Sequence, residues 1–333
     1  MRRVGTALLV LLGVSVVTFT LARVVPSDPA ALYIGPHPRP EDLVRITEQL
    51  GLNKPLPVQY VVYLSGVLRG DLGDSIASKL PVLSEVGQRV PASLELLLTA
   101  MLLAVLVGTL LGVLSARWRG RPPDAIVRLA SIAGVSLPAF WLGLLLQVLF
   151  FRQLHWLPLS GRLDTDLRFL APITHITGFY LFDSAVTGNW KAFTDAARHL
   201  VLPAVTLAAY PIGLIARMTR ASMLEALSQD YVRTARAFGL SERAVYYRLA
   251  LRNALPPTLT VIGLTLAYSL TGTFFVEIVF NWPGLGQFAV HSLLSVDYPA
   301  IMGITLLGAV GYVVINLLVD LLQAWLDPRV RLA

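Results

Sequence analysis

The chain has 333 residues, 55% of them hydrophobic and only 14% charged, with a mean hydropathy of +0.67. Soluble domains carry roughly a quarter charged residues, so this is the composition of a membrane protein. Cysteine is absent, which excludes disulfides, thiolate metal sites and thiol nucleophiles, and the net charge of +7 sits mainly on arginines in short connections between apolar runs, a pattern of membrane topology rather than of nucleic-acid binding.

The first apolar run, 7–25, follows Arg2 and Arg3. It is long enough to span, and no small-residue cleavage site follows it, so it reads as a retained first span behind a short N-terminal tail. Residues 26–93 read as an extracytoplasmic subdomain. Within it, PEDLVRITEQLGL reaches Gly51 and PVQYVVYLSGVLRG ends at Gly70; each opens with proline near the first turn and closes near glycine, as helices do. A core over 94–326 then holds five further spans, at about 94–115, 127–150, 200–219, 256–279 and 300–325, and 327–333 form a tail. Pro203 and Pro211 are tolerable in their span if neighbouring helices satisfy the freed backbone groups. The fold class is therefore all-α, with six transmembrane helices.

Arg and Lys orient the spans. With the N-terminus inside, the inner segments 1–6, 116–126, 220–255 and 326–333 hold 13 Arg or Lys in 61 residues. The outer segments 26–93, 151–199 and 280–299 hold 11 in 137. The inner density is more than twice the outer, which places both termini in the cytoplasm. The polar block DYVRTARAFGLSERAVYYRLALRNALPP, 230–257, carries five arginines and lies in the inner connection 220–255.

That connection reads as helix, sharp turn, helix. Ala221 to Arg236 is rich in Ala, Leu, Met and Arg; Phe238-Gly239-Leu240 breaks it, since glycine can take the left-handed conformation that ends helices. Ser241 suits the N-cap of the second helix and Glu242 its first turn. Such a knob fits a cleft on a soluble partner, or lies on the headgroups with its arginines on anionic membrane lipid; the residues alone leave both open. The chain lacks the parts an energy-consuming enzyme would need: Lys54, Lys79 and Lys191 are its only lysines, none follows glycine, and no phosphate-binding GxxxxGK loop exists, so any ATP-driven work would need another subunit. HExxH, GxSxG and paired-carboxylate clusters are absent too, so the chain reads as a non-enzyme.

The block resembles the cytoplasmic loop of binding-protein-dependent ABC importer permeases, whose signature is EAA, three residues, then Gly. Matched on Gly239, this chain has Arg233-Thr234-Ala235 in place of Glu-Ala-Ala, a departure typical of the dipeptide/oligopeptide/nickel branch, which reads much like DYVRTARAKGLSE; Phe238 replaces the usual Lys. The Leu-Pro further along the signature is replaced by Leu251-Arg252, with Leu255-Pro256 later. Seven fragments similar to that branch occur in order: VPSDPA (25–30), LGLNKPLPVQY (50–60), RGDLGDSI (69–76), SLPAFWLG (136–143), HWLPLSG (155–161), HLVLPAVTL (199–207) and VEIVFNWPGLG (276–286). The resemblance implies a type I ABC importer permease in a bacterial inner membrane, forming half of a translocation pathway with a homologous second permease. It further implies two ATPase subunits that hold ATP and Mg, no cofactor on this chain, and an extracytoplasmic solute-binding protein delivering short peptides, with glutathione, nickel or haem as alternatives. The coupling loop that seats in the ATPase would then comprise Arg233, Thr234, Ala235, Arg236, Ala237, Phe238, Gly239, Leu240, Ser241 and Glu242.

The remaining polar residues are weighed against that frame. Glu277, near the outer end of the fifth span, serves the pathway or, as the plainer reading, hydrogen-bonds the outer loop. Asn316 and Asp320, four apart on one face of the last span, join helices or the second permease; Gln147 and Glu95 are read in the same way. His37, His155, His175, His199 and His291 fall on the outer side without ligand spacing and read as loop histidines. Trp141, Trp156, Trp282 and Trp325 sit where an aromatic belt would lie. A self-sufficient secondary transporter would need repeats and buried coupling-ion residues that the sequence does not display; a scaffold holding a cytoplasmic partner is the other rival.

Overall fold

The computed structural model describes residues 2–24, 39–49 and 51–326. VPSDPA, His37 and the tail 327–333 lie outside them. The described elements are helical: α1 (Arg2–Val24), α2 (Pro40–Gln49), α3 (Leu56–Leu68), α4 (Val82–Arg117), α5 (Pro122–Ser136), α6 (Ala139–Gln153), α7 (Thr165–Leu170), α8 (Tyr180–Val186), α9 (Trp190–Ser228), α10 (Asp230–Ala237), α11 (Glu242–Val279), α12 (Leu285–Leu294) and α13 (Tyr298–Leu326). Both α6 and α11 contain a π-helical stretch, Gln147–Gln153 and Val245–Ala250.

Five helices are long and apolar enough to cross a membrane, and a sixth crossing exists if α5 and α6 count as one bent span. The third span expected at 127–150 is thus not one helix. Its two halves meet at Leu137-Pro138 with a bend of 111°, because proline offers no N–H and pushes the residue before it out of the helical region; Leu137 has φ −79°, ψ 129°. Three other boundaries move. The second spanning helix starts at Val82, twelve residues before the apolar run, since Pro91 is accommodated inside α4. The fourth runs over all of Trp190–Ser228, with Pro203 and Pro211 inside it. The helix expected over 221–236 is broken at Gln229 (φ −75°, ψ 153°), so that DYVRTARA forms the separate α10.

The chain divides into two compact units, residues 1–90 with 287–314 and residues 91–286 with 315–333. In the first, α1 and α3 meet through aromatic side chains: Phe19 stacks on Tyr63 at 5.6 Å, meets Tyr60 edge-on at 5.3 Å, and Ser15 shares a 2.8 Å hydrogen bond with the Tyr60 hydroxyl. The fragment RGDLGDSI forms a turn in which Gly70 and Gly73 take φ of +83° and +80°. That turn presents Ser75, whose hydroxyl donates to buried Asp297 at 2.5 Å.

In the second unit α9 is the central helix, packed against α11, α5, α6 and α8. The approach is close because glycines face backbone. A β-carbon on Gly134 would lie 2.7 Å from the carbonyl oxygen of Ala209, and one on Gly213 would lie 2.6 Å from that of Ser131. On the other side Gly108 and Gly112, one turn apart in α4, receive Ile215 and Thr219 of α9. Such small-residue seams are how helices associate where lipid offers no hydrophobic drive. The opposite side of α4 carries Leu98, Leu102, Leu106 and Leu110, each more than half exposed, the outward apolar face of a helix solvated by hydrocarbon.

Gly112→Leu should lower the thermal stability of the detergent-purified protein by overpacking worth about 1–3 kcal/mol. Gly308→Ala, where a β-carbon meets nothing within 4 Å, should leave the melting temperature unchanged or raise it. A melting series recorded by tryptophan fluorescence checks both.

Candidate functional site

The polar loop folds as a capped knob. α10 ends in a Schellman turn: the Leu240 N–H donates to the Ala235 carbonyl at 3.1 Å and the Gly239 N–H to that of Arg236 at 2.9 Å, with Gly239 at φ +77°. Ser241 caps α11, its hydroxyl accepting from the Ala244 N–H at 3.4 Å. Across the turn the Arg236 guanidinium grips the Glu242 carboxylate through two bonds of 2.8 and 3.2 Å, a fork that fixes the angle between the helices.

The two sides of this knob differ. Val232 and Val245 are fully buried beneath it, and the Asn253 amide donates to the Tyr231 hydroxyl at 2.9 Å. Outward, Phe238 is 80% exposed and Leu240 is 41% exposed; Arg233, Thr234, Ala235 and Ala237 belong to α10, with Arg233 held to Asp230 at 3.3 Å. A large aromatic side chain thus stands uncovered at the apex of the turn.

Beneath the knob is an ion pair that the sequence reading missed. Asp124, 1% exposed, accepts from Arg220 at 2.8 and 3.0 Å, from the Ser115 hydroxyl at 2.5 Å and from the Gly120 N–H at 2.9 Å. It ties the end of α4, the start of α5 and α9 together, eight residues before α9 gives way to α10. Asp124 and Arg220 lie 96 residues apart in sequence, and separation of that kind leaves no periodic signal.

At the other end of α11 the fragment VEIVFNWPGLG wraps around Glu277. Its carboxylate is fully buried and accepts from the Ser93 hydroxyl at 2.5 Å and the Gly286 N–H at 2.6 Å. A β-carbon at Gly284 would collide with that carboxylate, so the Pro-Gly turn lies directly on it. Asn281 ends α11 at φ +47°. Trp282, expected in an exposed belt, is instead 1% exposed and donates its indole N–H to the Ala92 carbonyl at 2.8 Å. A buried indole needs an acceptor, and α4 supplies one from 190 residues away in sequence.

Glu95 accepts from buried Arg162 at 2.5 Å and from the Leu181 N–H at 2.8 Å. Arg162 also lies 3.7 Å from the centre of the Tyr180 ring and donates to the Gly178 carbonyl at 2.9 Å. Gln147 donates to the carbonyls of Leu159 and Val279. Nearby, fully buried Asp183 collects the N–H groups of Ile176, Thr177 and Gly178 and the Thr177 hydroxyl. Asn316 is half-buried on α13; Asp320 is on the same helix, and its side chain lies outside the described residues. Among the described residues no group of three or more His, Asp or Glu could hold a metal ion; His199 sits by Asp195 at 3.2 Å and His175 beside Tyr180.

The family model for the binding-protein-dependent transport system inner membrane component matches residues 108–332, and its N-terminal companion matches 1–97. The chain belongs to this family. It is an ABC importer permease of the dipeptide branch, a multi-pass membrane component of a transport system. The permease is 48% identical to the probable D,D-dipeptide transport system permease protein DdpB of Escherichia coli, over 99% of this chain and 96% of the relative. It is 42% identical to the dipeptide transport system permease protein DppB of the same organism, over 99% and 98%. It is also 39% identical to the glutathione transport system permease protein GsiC of Salmonella choleraesuis, over 96% and 94%. Membership removes the secondary-transporter alternative.

Burial alone would raise the Asp183 carboxyl, but the hydrogen bonds from Thr177, Gly178 and Ile176 outweigh it and hold the group below the usual aspartate range. A depressed folded value stabilises the permease above the unfolded value of about 3.9, and the contribution disappears as pH falls through the lower folded value. Wild type should therefore lose melting temperature on acidification below about pH 4 more steeply than Asp183→Asn. The variant should be the less stable of the two at pH 7.

Proposed function

We propose that the permease forms half of the translocation pathway of an ATP-driven importer of short peptides. In this reading both termini and the knob around Gly239 face the cytoplasm, an orientation that the higher density of arginines in those segments supports. A homologous second permease completes the pathway. Two ATPase subunits bind ATP and Mg and supply hydrolysis, and an extracytoplasmic binding protein delivers the peptide. The named dipeptide permeases among the relatives support peptides as substrate. The glutathione permease relative supports a second reading, glutathione, which is itself a short peptide.

The observation that carries the coupling role is the braced turn with Phe238 at its apex. ATPase closure must be delivered to the spans as a displacement, and a lever transmits displacement only if it is stiff. The Arg236–Glu242 fork and the Schellman turn stiffen the knob, and buried Val232 and Val245 join it to the helices above. Arg233 to Glu242 form the docking surface, with Phe238 seated in an ATPase groove. Glu277 and Gln147 hold helix ends at the outer side, and Asn316 and Asp320 serve helix or permease–permease packing.

Mild-detergent co-purification tests the reading. Wild type should bring down an ATPase and a second permease. Gly239→Asp, which strains a backbone at φ +77°, should lose the ATPase alone, and Phe238→Ala should weaken its retention by roughly tenfold. Wild type that retains the second permease but no ATPase would sink the coupling assignment and make the arginines lipid contacts.

A further inference from the structure

The break between α5 and α6 opens a cavity of about 400 Å³, lined also by the middle of α9 and the second half of α11, within the range of small-molecule sites. Three features of its wall belong together. The first is backbone. Pro138 has no N–H to give the Gly134 carbonyl, and the Leu137 N–H goes back to the Ala133 carbonyl, so the regular helical ladder is interrupted at the break. At membrane depth such an interruption is tolerated only inside protein or against a polar cavity.

The second feature is hydroxyl groups. Serine and threonine within spans normally satisfy themselves on a carbonyl one turn back, as Thr206 does on Leu202, Thr265 on Ile262 and Thr273 on Leu270. Ser136, Ser269 and Thr271 line the cavity and make no hydrogen bond among the described residues. The same holds for the hydroxyls of Tyr210 and Tyr268, whose rings lie 5.2 Å apart. Ser269 is only 3% exposed, so its hydroxyl has little besides the cavity to turn to. The third feature is neutrality: no acidic, basic or histidine side chain lines the wall.

A wall of uncharged donors and acceptors in mixed supply suits a ligand that offers both and differs from its congeners only in side chains. A peptide bond is such a ligand, with one N–H and one C=O in every sequence. A metal ion or an anion would instead call for carboxylates, imidazoles or basic groups. We propose that this cavity is a station of the translocation pathway that takes the amide backbone of a short peptide and is indifferent to its side-chain charge. The assignment rests on the importer reading above and adds the part of the substrate that is contacted, and where.

The test uses the complete transporter in proteoliposomes with Ala-Ala, Ala-Asp and Ala-Lys as probes, following uptake and ATP hydrolysis together. Ser269→Ala/Thr271→Val should lower uptake of all three peptides alike, by roughly 5- to 25-fold for the loss of one or two neutral hydrogen bonds, while binding-protein-stimulated ATP hydrolysis persists and reports an assembled complex. Because the chain has no cysteine, Thr271→Cys gives an independent readout: Ala-Ala under turnover should slow its labelling by a methanethiosulfonate reagent. Unchanged uptake in the double variant, a loss confined to one charge class, or labelling indifferent to Ala-Ala overturns the station while wild-type uptake leaves the importer reading standing. A wild-type complex that hydrolyses ATP yet accumulates none of the three peptides overturns the importer reading itself.

Discussion

In hydrocarbon no water stands ready to pair a loose N–H or C=O, so each backbone polar group at membrane depth must find its partner within the protein. This constraint explains why the described elements are helices, and why departures from helix cluster at a few places. Where α5 gives way to α6, at Leu137-Pro138, the interrupted ladder adjoins a cavity. Where α11 ends, the Glu277 carboxylate takes the Gly286 N–H and the Ala92 carbonyl takes the Trp282 indole. Irregular backbone is thus confined to sites where side chains or a cavity can serve it.

The same constraint accounts for charges inside so apolar a chain. Glu95 with Arg162 and Asp124 with Arg220 are buried pairs, each carrying further hydrogen bonds. Such pairs contribute little net stability against apolar replacements, but half of one is costly. Their effect is positional. Glu95 fixes α4 to the segment carrying Arg162 and Leu181, and Asp124 fixes α4 and α5 to α9 near the end that leads into α10.

A division of labour follows within residues 91–286 and 315–333. Glycine seams let α9 lie against α4 and α5 at backbone distance. The cavity beside the bend is uncharged and the knob is charged and aromatic.

Much was legible in the sequence. Apolar length gave the spans, the Pro-to-Gly punctuation gave α2 and α3, and Gly239 followed by Ser241 and Glu242 gave the turn and cap, because these depend on residues within a few positions of one another. Local pattern alone could not locate the helix start at Val82 or the break at Gln229, where tertiary packing outweighs hydropathy. Nor could it pair Asp124 with Arg220, Arg162 with Glu95, or Ser93 with Glu277, since partners 67 to 184 residues apart are joined only by the fold. By itself the sequence determined that the protein spans a membrane, in which connections its arginines concentrate and which loop carries the glycine turn between two helices. Only the tertiary structure decided which charges are buried in pairs, that Trp282 is a core residue rather than a belt residue, and that an uncharged cavity lies beside the proline in the third span, because each depends on what another helix brings to the same point in space.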